Sequence, residues 1–163
     1  MRVRDLTLFF TLAALTTAAA AAARPTFGGN VCGLLTAKQV TAIQGVSPRC
    51  TNAKPSPGFG STIYAGNWSG KTARSPRVQV TVSVYTDQGA LQLAKRNLAQ
   101  GLTGTPRKVA GIGSGAYEAT GAGAAGLRFA SGKTTVLVIV TALGKPPSTK
   151  SAETLAKSID ARL

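Results

Sequence analysis

The chain has 163 residues, with 19 Lys and Arg against five Asp and Glu, a formal net charge of +14, and no histidine. The missing histidine excludes Ser-His-Asp and Cys-His catalysis and every imidazole metal ligand. The charge excess favours anionic partners over cationic ones, and the length suits one domain with a single core.

Residues 1–23 carry Arg2 and Arg4, then the apolar run Leu6 to Leu15, then alanines through Ala23 before Arg24-Pro25. A basic start, a short apolar centre and small residues at the end are the pattern of a secretory signal peptide. A retained anchor is the competing reading. Leu6 to Ala23, diluted by alanine and threonine, falls short of the roughly 20 strongly apolar residues that a span requires, so cleavage is expected. Cys32 follows Gly29-Asn30-Val31, not a small apolar triplet beside the apolar run, which argues against a lipidated cysteine. Cleavage after Ala23 removes Arg2, Arg4 and Asp5. It leaves 17 Lys and Arg against four carboxylates, a net charge of +13. The expected organisation is a short tail over 24–31 and one domain over 32–163, extracytoplasmic and either secreted or envelope associated.

Two cysteines in an exported chain are expected to pair. Between Cys32 and Cys50, Thr36 and Gln39 form a capping-box pattern and Gly45 a stop signal. The spacing therefore predicts a short helix bracketed by a disulfide, with Leu35, Val40 and Ile43 facing inward. A redox role would favour Cys-x-x-Cys spacing, which is absent.

Ser61 to Ser69 and Val78 to Tyr85 read as strands, the second alternating apolar and polar residues with period two. Asp87 caps a helix expected to run to about Gln100, with Ala90, Leu91, Ala94 and Leu98 on one stripe. Gly101 to Gly126 holds eight glycines and reads as a flexible connection with a short strand near Ala116-Tyr117-Glu118; a ligand or partner loop is the alternative. Gly126 to Ser131 and Thr134 to Leu143 read as strands joined at Gly132-Lys133. The second is so apolar that it is expected at the centre of the sheet. Ser148 to Leu163 reads as a helix with Ala152, Leu155, Ala156, Ile159 and Leu163 toward the core. The predicted architecture is α+β: a mostly antiparallel sheet of about four to six strands, with an N-terminal, a middle and a C-terminal helix packed on one face.

Cys32-Gly-Leu-Leu-Thr-Ala-Lys-Gln-Val40, the second Cys50, Val109-Ala-Gly-Ile-Gly-Ser-Gly-Ala-Tyr117 and the closing helix resemble a group of actinobacterial exported proteins. Many of these are lipoproteins. They carry a domain of unknown function that opens with a Cys-x-Leu-Leu-Thr helix and later shows a Gly-x-Gly-x-x-Ala-Tyr turn. The resemblance spans nearly the whole mature chain and implies a sheet-and-helix envelope domain with a Cys32 to Cys50 bridge and no catalytic residues to carry over. The missing lipobox is the departure from that group.

Paired-carboxylate chemistry needs two acids in one cleft. Asp87 at a helix start, Glu153 in a first turn and Asp160 one turn after Lys157 all have structural explanations, and Glu118 reads as a surface residue. No catalytic, cofactor or metal residues are therefore expected. Two phosphate-loop look-alikes lack context. Ala65 to Thr72 is followed by Ala73-Arg-Ser-Pro76 instead of a helix, and Gly111 to Ala116 has neither the strand before it nor the helix after it. Asn67-Trp-Ser69 is a glycosylation sequon, relevant only in a host that uses it.

The cations group as Lys71, Arg74 and Arg77 in one loop, Lys95 and Arg96 on a helix, and Arg107 and Lys108 in another loop. No aromatic residues interleave with them, so dedicated nucleic-acid binding is not expected. The leading expectation is a non-enzymatic envelope protein whose basic surface, with Lys71, Arg74 and Arg77 foremost, holds anionic wall polymer or lipid headgroups. The alternative is a binding or sensory domain that captures a small molecule or partner protein under the Gly101 to Gly126 segment.

Overall fold

The computed structural model describes residues 27–44, 48–70, 76–142 and 148–163. The leader, Gly45, Lys71 and Arg74 lie outside the described residues.

The sheet is antiparallel and eight-stranded: β1 (Arg49–Asn52), β2 (Ser56–Gly58), β3 (Ser61–Ser69), β4 (Arg77–Tyr85), β5 (Arg107–Val109), β6 (Gly115–Gly121), β7 (Ala124–Ser131) and β8 (Thr134–Thr141). The order is β1-β3-β4-β8-β7-β6-β5, with β2 paired to the other half of β3. The apolar run 134–141 is thus the central strand. Strands β1, β2 and β5 raise the count above the four to six expected. Each is only three or four residues long, too short to show a period-two pattern.

Register defines the two faces. Val78, Val80 and Val82 lie opposite Val140, Val138 and Val136, which lie opposite Ala125, Leu127 and Phe129. This inner face forms the main core together with Trp68, Ile112 and the buried Ala152, Leu155, Ala156 and Ile159 of α3 (Thr149–Asp160). A 3₁₀ turn at Val31–Leu34 and α1 (Ala37–Gln44) complete that layer. The packed chain reaches back to Phe27, whose ring meets Tyr64 edge-on at 5.3 Å between centroids.

The capping box forms as the residues imply. The Gln39 amide donates to Thr36 Oγ1 at 3.2 Å, and the Thr36 amide donates to Gln39 Oε1 at 2.8 Å. Cys32 and Cys50 are bonded, with Cα atoms 5.8 Å apart. Beside them the Cys32 amide donates to Asn52 Oδ1 at 3.0 Å, and Asn52 Nδ2 donates to Asn30 Oδ1 at 3.0 Å. The N-terminal segment is therefore fixed to β1 by one covalent link and a short polar ladder.

The middle helix departs from expectation in length and in place. α2 spans Gln88–Arg96, shorter than the stretch to Gln100, and is capped by Asp87 Oδ1 accepting from the Ala90 amide at 2.6 Å. Its Ala90 and Ala94 line a groove with Ser61, Ile63, Ser83 and Tyr85, all on the face opposite the valines. The helices thus cover both faces of the sheet, not one. The physical reason lies in β8. Leu137 and Ile139 point away from the valine face, and that apolar surface needs its own cover, which α2 and the segment after it supply.

The Gly101 to Gly126 segment is not a free connection. It supplies β5 and β6, and Gly104 and Gly113 press against backbone carbonyls of neighbouring strands. At its far end the β6–β7 hairpin turns through Ala122 at φ 48° and Gly123 at φ 74°. Left-handed backbone costs an ordinary L-residue roughly 1 to 2 kcal/mol, and two-residue turns of this kind favour Asn-Gly. Ala122→Asn is expected to raise stability by about 0.5 to 1 kcal/mol, read as a higher denaturation midpoint at unchanged slope.

Candidate anion-binding surface

The four carboxylates after residue 23 are Asp87, Glu118, Glu153 and Asp160. Asp87 caps α2. Glu118 is not at the surface as expected. It points to the inner face between Ala116 and Thr120, opposite Leu127 and Arg107, and is 1% exposed. A carboxylate in such a position requires a counter-charge. Arg107 supplies one, with its Nε donating to Glu118 Oε1 at 3.0 Å and its Nη2 contacting the same oxygen. The partner carboxylate, and secondarily Glu153, raise the Arg107 pKa. This is the one ion pair among the described residues.

Asp160 does not pair with Lys157. Its Oδ2 accepts from the Gly113 amide at 2.9 Å, fastening the end of α3 to the β5–β6 turn. Glu153 sits in the second turn of α3, since the first turn holds no acid. Two carboxylate oxygens, Glu118 Oε2 and Asp160 Oδ1, are buried without a hydrogen-bond partner. Among the described residues no cluster of three His, Cys, Asp or Glu side chains is placed to hold a metal ion.

The cations are placed differently. Of those described, all are exposed except the half-buried Lys95 and Arg128. Arg77 is the first residue of β4. It lies opposite Ser69 of β3, which lies opposite Arg49 of β1. In-register residues share a face, so Arg49 and Arg77 flank Ser69 on the outer side, about 10 Å apart at two strand spacings. The next row holds Thr51, Asn67 and Gln79, all exposed. The result is a polar, cationic strip bearing hydrogen-bond donors and no acid. Arg107 and Lys108, expected in a loop, instead occupy the edge strand β5, where cations blunt an open edge. Arg49 could not be grouped with Arg77 from sequence spacing, because the pairing of β1 with β3 brings them together.

Beneath Gly101, Leu102 and Thr103 lies a cavity of about 90 Å³, floored by Ala124, Gly126, Leu137 and Ile139. It contains no aromatic residue and no converging charged groups. Small-molecule sites usually run to roughly 300 Å³ or more.

The look-alike motifs resolve into ordinary structure. Gly66 lies within β3 beneath Val31, and Gly111 to Ala116 leads into a strand. No protein-family model, curated protein or solved structure matches this chain. Among the described residues no helix is long and apolar enough to cross a membrane.

Proposed function

We propose that this is an exported, non-enzymatic protein that adheres to anionic cell wall or membrane material through its basic surface. The observation carrying this reading is the division of charge. Glu118 is buried against an arginine, and Asp87 and Asp160 accept from a helix-start amide and a turn amide, which with the half-buried Glu153 leaves few acids among outward-pointing, largely uncompensated cations. Such a surface attracts polyanions over a range set by the Debye length. The leader pattern and the oxidised cysteines favour an extracytoplasmic setting, as does the resemblance to exported actinobacterial domains of unknown function. Arg77 and Arg49 form the first contact strip, joined along the chain by Lys71 and Arg74.

The test is co-sedimentation with isolated anionic wall polymer and with anionic vesicles across a salt series. Binding is expected to fall at least about tenfold as ionic strength rises from about 0.05 M to about 0.5 M, where screening shortens to roughly 4 Å. Arg49→Ser/Arg77→Ser should weaken the low-salt binding. Absence of binding at any salt would eliminate the reading. The alternative, capture of a small molecule or partner beneath Gly101 to Gly126, has less support, because the cavity there is small and lacks convergent polar groups.

A further inference from the structure

The two large hydrophobic side chains exposed among the described residues are Phe59, 80% exposed, and Leu93, 52% exposed. They are far apart in sequence, yet both line one open groove where the β2–β3 turn meets α2. Its floor holds Ile63 and Ala90, and Tyr85 and Arg128 stand at its side. Phe59 sits at a turn tip followed by Gly60 at φ 57°, so its ring projects beyond the strands.

Exposed apolar groups converging on one surface mark an interaction site more specifically than scattered ones do. We propose that this end of the molecule is a docking surface for an anionic lipid bilayer, with Phe59 and Leu93 entering the headgroup boundary. The proposal rests on the electrostatic reading above and names the material it acts on.

Charge complementarity selects the occupant. Arg96 follows Leu93 by three residues, one helical turn along the same face. The carbonyl of exposed Lys133 accepts from the Tyr85 amide at 2.9 Å, which places that turn beside the groove. Arg128 lines it. One acid, Asp87, lies beside the turn, exposed and capping α2; Arg96, Lys133 and Arg128, the last also donating to the Gln100 carbonyl, outnumber it. An apolar pair flanked by an excess of cations is the composition that binds anionic membrane interfaces. A wall polysaccharide offers Phe59 no apolar phase, and a second copy of a chain carrying +13 after cleavage would be repelled. The groove, about 230 Å³ and open, does not enclose a small ligand.

The test uses the chain from Arg24, which contains every described element, with phosphatidylcholine vesicles with and without phosphatidylglycerol. Binding is expected only with phosphatidylglycerol, and a fraction should survive about 0.5 M salt, where exposed charges are screened. Phe59→Ser and Leu93→Ser should each lower that salt-resistant fraction about tenfold, in line with loss of a buried apolar side chain. Circular dichroism should show an unchanged fold. In Phe59→Trp, emission should shift to the blue on adding anionic vesicles, above a constant signal from buried Trp68. Serine variants that bind like the parent across the salt series, or a tryptophan at 59 that does not shift, would overturn apolar insertion and leave the electrostatic reading standing. A shift with a soluble acidic protein and none with vesicles would overturn the bilayer as occupant. Failure to bind either anionic vesicles or anionic wall polymer would remove both readings.

Discussion

Gly113→Ala is expected to destabilise the protein by about 3 to 5 kcal/mol, combining overpacking with left-handed strain. Gly113 holds φ 53°, and a Cβ built on it would sit 2.0 Å from the Ala130 carbonyl oxygen and 3.1 Å from Phe129. Neither neighbour can yield. The Ala130 carbonyl already accepts from the Ser114 amide at 2.8 Å, and Phe129 is fully buried. The Gly113 amide also donates to Asp160, so a shift of the turn would loosen the end of α3. Gly123→Ala supplies the control. Its φ is 74° but nothing lies within 4 Å of the built Cβ, so only the conformational cost of roughly 1 to 2 kcal/mol applies. Chemical denaturation of both variants separates the two contributions. Equal losses would show that the turn has room that these contacts deny it.

The second large effect concerns the Cys32–Cys50 bridge. Its removal, by reduction or by Cys32→Ser/Cys50→Ser, is expected to cost about 3 kcal/mol for a loop of 18 residues in the chain-entropy account. Small domains have only about 5 to 15 kcal/mol in total, so the midpoint should fall markedly. The loss should be felt first in the N-terminal layer, because Val31, Leu34 and Val40 join the main core through a segment anchored by that bond and by the Asn30–Asn52 contacts. Hydrogen exchange on the reduced protein should show early loss of protection in α1 and β1 while β4 and β8 stay protected. Uniform loss across the sheet would contradict this order.

The sequence made legible whatever repeats with a period or carries a local signature. The alternation in β4, the apolar run of β8, the stripe of α3, the capping box at Thr36 and the cysteine pair are of this kind. Strands β1, β2 and β5 were not legible, because Arg-Cys-Thr-Asn, Ser-Pro-Gly and Arg-Lys-Val hold too few residues to show a period and form only by pairing with β3 or β6. The position of α2 was half legible. An apolar residue at every position from Val136 to Val140 signals a strand covered on both faces, which requires helices or loops on each. Glu118 could not be placed by its own neighbours, since its burial depends on Arg107 arriving across the β5–β6 ladder. The strip around Arg49 and Arg77 was likewise hidden, because strand pairing brings together residues 28 positions apart.

The ladder at the middle of the sheet also governs the order in which the chain can mature. β4 is flanked by β3, its neighbour in sequence, and by β8, which begins 49 residues after β4 ends. Until residue 141 has emerged, β4 presents a nine-residue open edge carrying Val78, Val80 and Val82, the kind of surface that recruits other chains. The disulfide closes a local loop and can form early, yet it cannot shield that edge. Productive folding therefore waits for the last third of the polypeptide, and stepwise folding from the N-terminus cannot complete the centre of the sheet.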